Sequence, residues 1–163
     1  MKVYFAADHG GFEMKGELMR FVQELGHVVE DCGAFELDPS DDYPPIISKA
    51  AHKLSTDALA GIESRAILGG GSGQGEAMMA NRFRGVRCAL YYGKASREQT
   101  DMQGNHLDVI RSAREHNDAN ALSFGYRFIS LDEAKDAVRE FLTTEFPNDE
   151  RHLRRIGQID ELA

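Results

Sequence analysis

The eight residues from Gly69 to Glu76, Gly-Gly-Gly-Ser-Gly-Gln-Gly-Glu, hold five glycines and end on a carboxylate. Without β-carbons the backbone can approach a ligand closely, and a helix beginning near Ala77-Met78-Met79-Ala80 would aim unpaired N–H groups at it. By composition this is an anion site. Three better-known patterns fail in it. Gly70 and Gly75 have P-loop spacing, but Glu76 and Ala77 follow where Lys and Ser or Thr are required, and a carboxylate there would repel a triphosphate. The dinucleotide pattern at Gly71 and Gly73 meets Glu76 in place of its third glycine. The serine-hydrolase elbow at Gly70 and Ser72 ends on Gln74. What remains is amide donors beside a carboxylate. That pairing suits proton abstraction next to a carbonyl, with Glu76 as base and the loop N–H groups holding the oxyanion. The plainer alternative is a first-turn glutamate that only complements the helix dipole.

Other groups invite the same comparison. Asp8-His9-Gly10-Gly11 ends an apolar run and reads either as a turn with a helix cap or as part of a site. His116-Asn117-Asp118-Ala119-Asn120 is a polar segment carrying a histidine. Arg151 and Arg155 are four apart and share a face if the tail is helical; with Arg127 they could bind a phosphate, or form a solvated basic face.

The elements that must position these residues follow from periodicity. Val3 to Ala7 is a short apolar run of the kind buried on both faces of a parallel sheet. Met14, Leu18, Phe21, Val22 and Leu25 then recur at helical spacing up to Gly26. His27 to Asp31 predicts a second strand, and the helix after it starts at Pro44-Pro45, where missing N–H groups cost little. Arg65 to Leu68, Val86 to Tyr92 and Ala121 to Phe124 predict three more strands. The segment Gly93 to Asn120 reads as mostly helical with a break at Gly104-Asn105. A capping box, Ser130 with Glu133, opens the last long helix, closed by Pro147, and a short helix is possible beyond it. Five strands alternating with helices predict an α/β, doubly wound parallel sheet with helices on both faces.

The 163 residues fit one domain, 1–163. With 42% hydrophobic and 28% charged residues and no long apolar run, a soluble globular chain without a membrane span is expected, and the first residues read as a strand rather than a leader. The net charge of −8 argues against nucleic acid and anionic membranes as partners. Cys32 and Cys88 lack metal-type spacing and read as free thiols in a reducing, cytoplasmic setting.

In such a sheet Asp8, His9 and the Gly69 to Glu76 loop share the carboxyl edge of the strands, where ligands bind. His116, just before a strand, falls at the amino edge. If it takes part in the same chemistry, it most simply reaches a neighbouring subunit's loop in a two-fold dimer.

Asp8-His9-Gly10-Gly11-Phe12, Asp42-Tyr43-Pro44, Gly70 to Gly75, Ala80-Asn81-Arg82, Arg114 to Asn120, Gly125-Tyr126-Arg127, and Arg151-His152 with Arg155 together resemble the type B ribose-5-phosphate isomerases and their galactose-6-phosphate isomerase relatives. The resemblance spans nearly the whole chain. It implies a compact Rossmann-like α/β homodimer, or a dimer of dimers, with shared active sites. It further implies no metal or nucleotide cofactor and aldose–ketose interconversion of ribose 5-phosphate and ribulose 5-phosphate through a cis-enediolate. Six-carbon sugar phosphates and a non-catalytic sugar-phosphate-binding protein stay open as alternatives. By the same resemblance Asp8 contacts substrate oxygens near the reacting carbons and Tyr43 lines the sugar site. Gly71, Gly73, Gln74 and Gly75, with Ser72, supply the enediolate hole. His116 helps open the furanose ring and Asn117 binds a hydroxyl; His9, Arg127, Arg151 and Arg155 form the phosphate cluster, some of it from the partner subunit.

The chain departs from the family twice. Many members carry a cysteine base where Gly70 stands here, and Glu76 matches the branch that uses a glutamate instead. The stretch from Arg97 to Arg111, within 93–120, is longer than its equivalent in typical members and reads as an insertion. The tail, 148–163, is expected to serve the phosphate site or a dimer.

Overall fold

The structure is a computed structural model that describes residues 1–97, 99–102 and 104–162. Five strands, β1 (Lys2–Ala7), β2 (Val28–Asp31), β3 (Ser64–Gly70), β4 (Cys88–Tyr91) and β5 (Ala121–Gly125), form one parallel sheet in the order β2-β1-β3-β5-β4. The chain leaves β1 towards one edge and returns at β3 towards the other, which makes the β1–β3 boundary the switch point of a doubly wound sheet.

Alternation along the central strands splits the core in two. Val3 and Phe5 of β1 turn to the face covered by α1 (Phe12–Glu24), α4 (Val109–Asn117) and α5 (Leu131–Thr143). Tyr4 and Ala6 turn to the face covered by α2 (Tyr43–Leu59) and α3 (Gln74–Ala80). Each fully buried large side chain, such as Phe5 or Leu54, contributes about 1.5–3 kcal/mol through burial. The second face is built with alanines, Ala50, Ala51, Ala66 and Ala80, which let α2 and α3 lie close to the strands.

Local signals set the helix ends. Pro44 and Pro45 occupy the first turn of α2, and Ser130 and Glu133 make both bonds of the capping box of α5. The tail forms a thirteen-residue helix, α6 (Glu150–Leu162), which packs on α4. No helix among the described residues is long and apolar enough to cross a membrane.

The helical reading of Gly93 to Asn120 is corrected. Only Val109–Asn117 is helical, and the described residues before it are irregular, with a single antiparallel bridge between Thr100 and His106. Asp101 takes the backbone and side-chain N–H groups of Asn105, at 2.8 and 2.9 Å, while Asp108 caps α4 through the Arg111 N–H at 2.7 Å. Such side-chain bonds to nearby backbone compete with helix formation. The expected start and end of several strands also move by one to two residues; β4 begins at Cys88 because the Val86 N–H turns back to the Phe83 carbonyl, at 3.0 Å, and the Arg87 N–H donates to Asn120 Oδ1, at 2.8 Å.

Candidate active site

Two loops leave the carboxyl edge at the switch point. After β1, Asp8 caps a 3₁₀ turn, His9–Gly11, its Oδ1 accepting the Gly10 N–H at 2.9 Å. After β3, Gly73 adopts φ +69°, the left-handed region, and sends the chain into α3. Any side chain there would also meet the Phe124 carbonyl carbon at 2.6 Å. The Gly73 carbonyl accepts the Ser123 hydroxyl at 2.8 Å, which ties the loop to β5.

This geometry buries Glu76, 4% exposed, in the first turn of α3. A β-carbon at Gly70 would sit 2.7 Å from Glu76 Cδ and 2.9 Å from Asp8 Oδ1, so both carboxyl groups press on one α-carbon. Tyr43, the first residue of α2, lies over Gly75, its ring 2.5 Å from where a β-carbon would be, and the Arg127 guanidinium lies over Gly71, 3.0 Å from the corresponding point there. Asp8, His9, Tyr43, the glycine loop, Glu76 and Arg127 therefore gather at one edge. Ser72 and Gln74 are exposed in the loop, and the Ser72 hydroxyl reaches the Gln74 N–H only at 3.4 Å.

Burial raises the Glu76 pKa; its own backbone N–H opposes the shift and the Asp8 charge adds to it. Burial likewise raises that of Asp8, against His9 and the Gly10 and Gly11 N–H groups. A buried carboxylate tuned upward towards neutrality is what general-base chemistry requires. The thiols are poor candidates for the same task. Burial pushes Cys32 up to about 11 and Cys88 up to about 12, and both are free thiols.

Sequence reasoning passed over Asp41. It is adjacent to the Asp42-Tyr43-Pro44 motif, the one signal that could have marked it, and its carboxylate holds His9 at Nδ1, 2.6 Å, and at the backbone N–H. Ligand atoms of Asp8, His9 and Asp41 lie within 4.8 Å of one another, a spacing a cation could bridge. The Gly10 N–H and the two His9 N–H groups already satisfy this cluster.

The remaining expected residues lie at the amino edge. His116 and Asn117 end α4, just before β5, and Arg151 and Arg155 lie on α6. One chain does not bring them to Glu76. Much of the Arg114 to Asn120 motif is structural. Buried Arg114 bonds Asp118, the Ala119 carbonyl and the Thr144 carbonyl at 2.8, 2.6 and 3.1 Å. Arg87 bonds the Asp118 carboxylate at 2.7 Å and the Asn117 carbonyl at 2.9 Å, and Asn120 holds the Arg87 N–H and the Gly85 carbonyl, both at 2.8 Å. These bonds fix Asp118 at φ 44°. His116 stacks on buried His152, ring centroids 4.7 Å apart, and Arg151 approaches His152 Nε2 at 3.3 Å. Among its described neighbours Asn117 makes only a 3.4 Å side-chain bond, to Ser112.

Comparison with known proteins finds the family model described as Ribose/Galactose Isomerase matching residues 3–159. A ribose-5-phosphate isomerase B of Mycolicibacterium paratuberculosis is 37% identical over 161 residues, 99% of this chain and 91% of the relative. Among solved structures, ribose-5-phosphate isomerase B from Mycoplasma genitalium with bound ribulose-5-phosphate superposes with TM-score 0.83 at 28% identity, covering 99% of this chain and 95% of that one. The Clostridium thermocellum ribose-5-phosphate isomerase B gives 0.81 at 33% identity, covering 99% and 97%.

Proposed function

The chain belongs to the ribose/galactose isomerase family and is an aldose–ketose isomerase of ribose 5-phosphate, an activity of the pentose phosphate pathway; from this premise we propose that Glu76 is its base. The observation that carries the reading is the Glu76 carboxylate, buried against the Gly70 α-carbon and beside Asp8, with no side chain at position 70 to compete for that space.

In the open-chain aldose, the ionised Glu76 takes the proton from C2. The C2–H electrons form the C1=C2 bond of a cis-enediolate, and charge moves onto O1. N–H groups of the loop Gly71 to Gly75, beside Ser72, hold that oxyanion, which is where preorganised donors act most strongly. Asp8 bonds the hydroxyl at the neighbouring carbon. Glu76 then returns the proton to C1, and the O2 proton passes to O1, giving the ketose. Tyr43 bounds the sugar beside Gly75 and Gln74. His9 and Arg127 meet the phosphate from this edge.

The other half of the site comes from a second copy of the chain. His116, for ring opening, Asn117, for a hydroxyl, and Arg151 and Arg155, for the phosphate, sit at the amino edge, and a two-fold dimer with shared sites lets one protomer's amino edge complete its partner's carboxyl edge. Glu76 here does what a cysteine at position 70 does in other members.

Glu76→Gln tests the assignment. Loss of a general base costs about 10² to 10⁴ in rate, so kcat for ribose 5-phosphate should fall by that much with KM nearly unchanged. Turnover near wild type rejects Glu76 as base. Running ribose, allose and galactose phosphates side by side on the unaltered protein measures its preference among sugar lengths.

A further inference from the structure

Asp41 has no part in the reaction as written, yet its carboxylate is committed to one residue. It lies 2.6 Å from His9 Nδ1 and 3.0 and 3.2 Å from the His9 backbone nitrogen. The side chain of Asp41 is 11% exposed and that of His9 35%. The loop that delivers Asp41 is anchored independently of His9. Buried Lys15 holds Asp31 and the Ala34 carbonyl, both at 2.7 Å, at the loop's start, and the Asp41 N–H donates to the Asp38 carbonyl at 3.0 Å. With Nδ1 taken, the outward ring nitrogen, Nε2, has no hydrogen-bond partner among the described residues.

We propose that Asp41 is a positioning residue for the isomerisation, holding the His9 ring charged and turned so that its Nε2–H meets a phosphate oxygen of the substrate. The proposal rests on the reading above that His9 belongs to the phosphate cluster. A carboxylate on one imidazole nitrogen fixes the ring's orientation and favours the charged form. The charged groups facing His9 are Asp8 from its own turn, Asp38 and Asp41 from the loop after β2, and Arg127 from the segment after β5. The Asp41 bond is the largest influence and raises the His9 pKa; Asp8 raises it further, and Arg127 and partial burial oppose. An unassisted histidine is mostly neutral at physiological pH. The pair favours a second cation beside Arg127, and phosphate affinity declines as pH rises through the His9 titration.

The test compares Asp41→Asn, Asp41→Glu and His9→Asn with the unaltered protein, reading the His9 ring resonance by NMR across pH and KM and kcat for ribose 5-phosphate. Asp41→Asn should move the His9 titration to lower pH and raise KM about tenfold, the scale of one charge-assisted hydrogen bond, with kcat largely retained. Asp41→Glu should recover both. A His9 titration unmoved in a folded Asp41→Asn protein overturns the inference. A titration that moves while His9→Asn leaves KM unchanged rejects instead the placement of His9 at the phosphate.

Discussion

Replacing Gly70 with alanine adds one carbon at the most crowded point of the carboxyl edge. The new β-carbon would lie 2.7 Å from Glu76 Cδ and 2.9 Å from Asp8 Oδ1, and it also collides with Glu76 Oε1. Comfortable separation between carbon atoms is about 3.5–4.0 Å, so the Glu76 carboxyl must retreat by ~1 Å or turn to another rotamer. Displacing a reacting group by that distance costs on the order of 10² in rate. The phosphate-binding cations do not touch position 70, so KM should hold. Overpacking of this kind costs about 1–3 kcal/mol of stability, and thermal unfolding of the variant therefore accompanies the rate measurement. The assay is ketose formation at saturating ribose 5-phosphate. A folded Gly70→Ala protein with wild-type kcat would refute the reasoning, because the proton would then not travel to a carboxylate in the observed position.

Three further outcomes are expected. Glu76→Gln should reduce the pH dependence of stability as well as turnover. Burial holds the folded-state pKa of Glu76 above its unfolded value, so its contribution is fully present below the unfolded value and is lost as pH rises through the folded one; denaturation midpoints should fall less in the variant between mildly acidic and alkaline buffer. Arg151→Ala should chiefly raise KM for phosphorylated substrate, and unchanged KM and kcat would remove the tail from the site. Co-expressing Glu76→Gln chains with His116→Asn chains should restore about a quarter of wild-type activity, since random pairing makes half the dimers mixed and each mixed dimer keeps one intact site of two. Activity no higher than in either parent would show that Glu76 and His116 do not meet across a dimer.

The sheet was legible because its strands are short apolar runs separated by amphipathic helices, and the capping box of Ser130 and Glu133 could be read directly. So could the shared edge of Asp8 and the glycine loop. Positions decided by side chains bonding to distant backbone were not legible. Asp41 belongs to His9, thirty-two residues earlier in the chain, and no local pattern announces that pairing. The segment before α4 misled because its charged residues suit a helix surface, while Asp101 and Asp108 use their carboxylates to build turns and a cap. The separation of His116 from Glu76 followed from topology alone, since a residue entering a parallel strand and one leaving it must lie at opposite ends of the sheet.

Those two ends are built from different materials. At the carboxyl edge, Gly69, Gly70, Gly71, Gly73 and Gly75 each have a neighbour where a side chain would begin. At the amino edge, the turn around Asp118 hangs on hydrogen bonds from Arg87 and Arg114. A saturation scan would therefore leave two distinct signatures. Across the glycine loop nearly every replacement harms, with severity following size. Around Asp118 a lost donor or acceptor is what harms, so lysine for arginine hurts there almost as much as alanine. The one enzyme carries both a steric and a chemical constraint on its sequence, and the pattern of tolerated substitutions would tell its two edges apart without any structure.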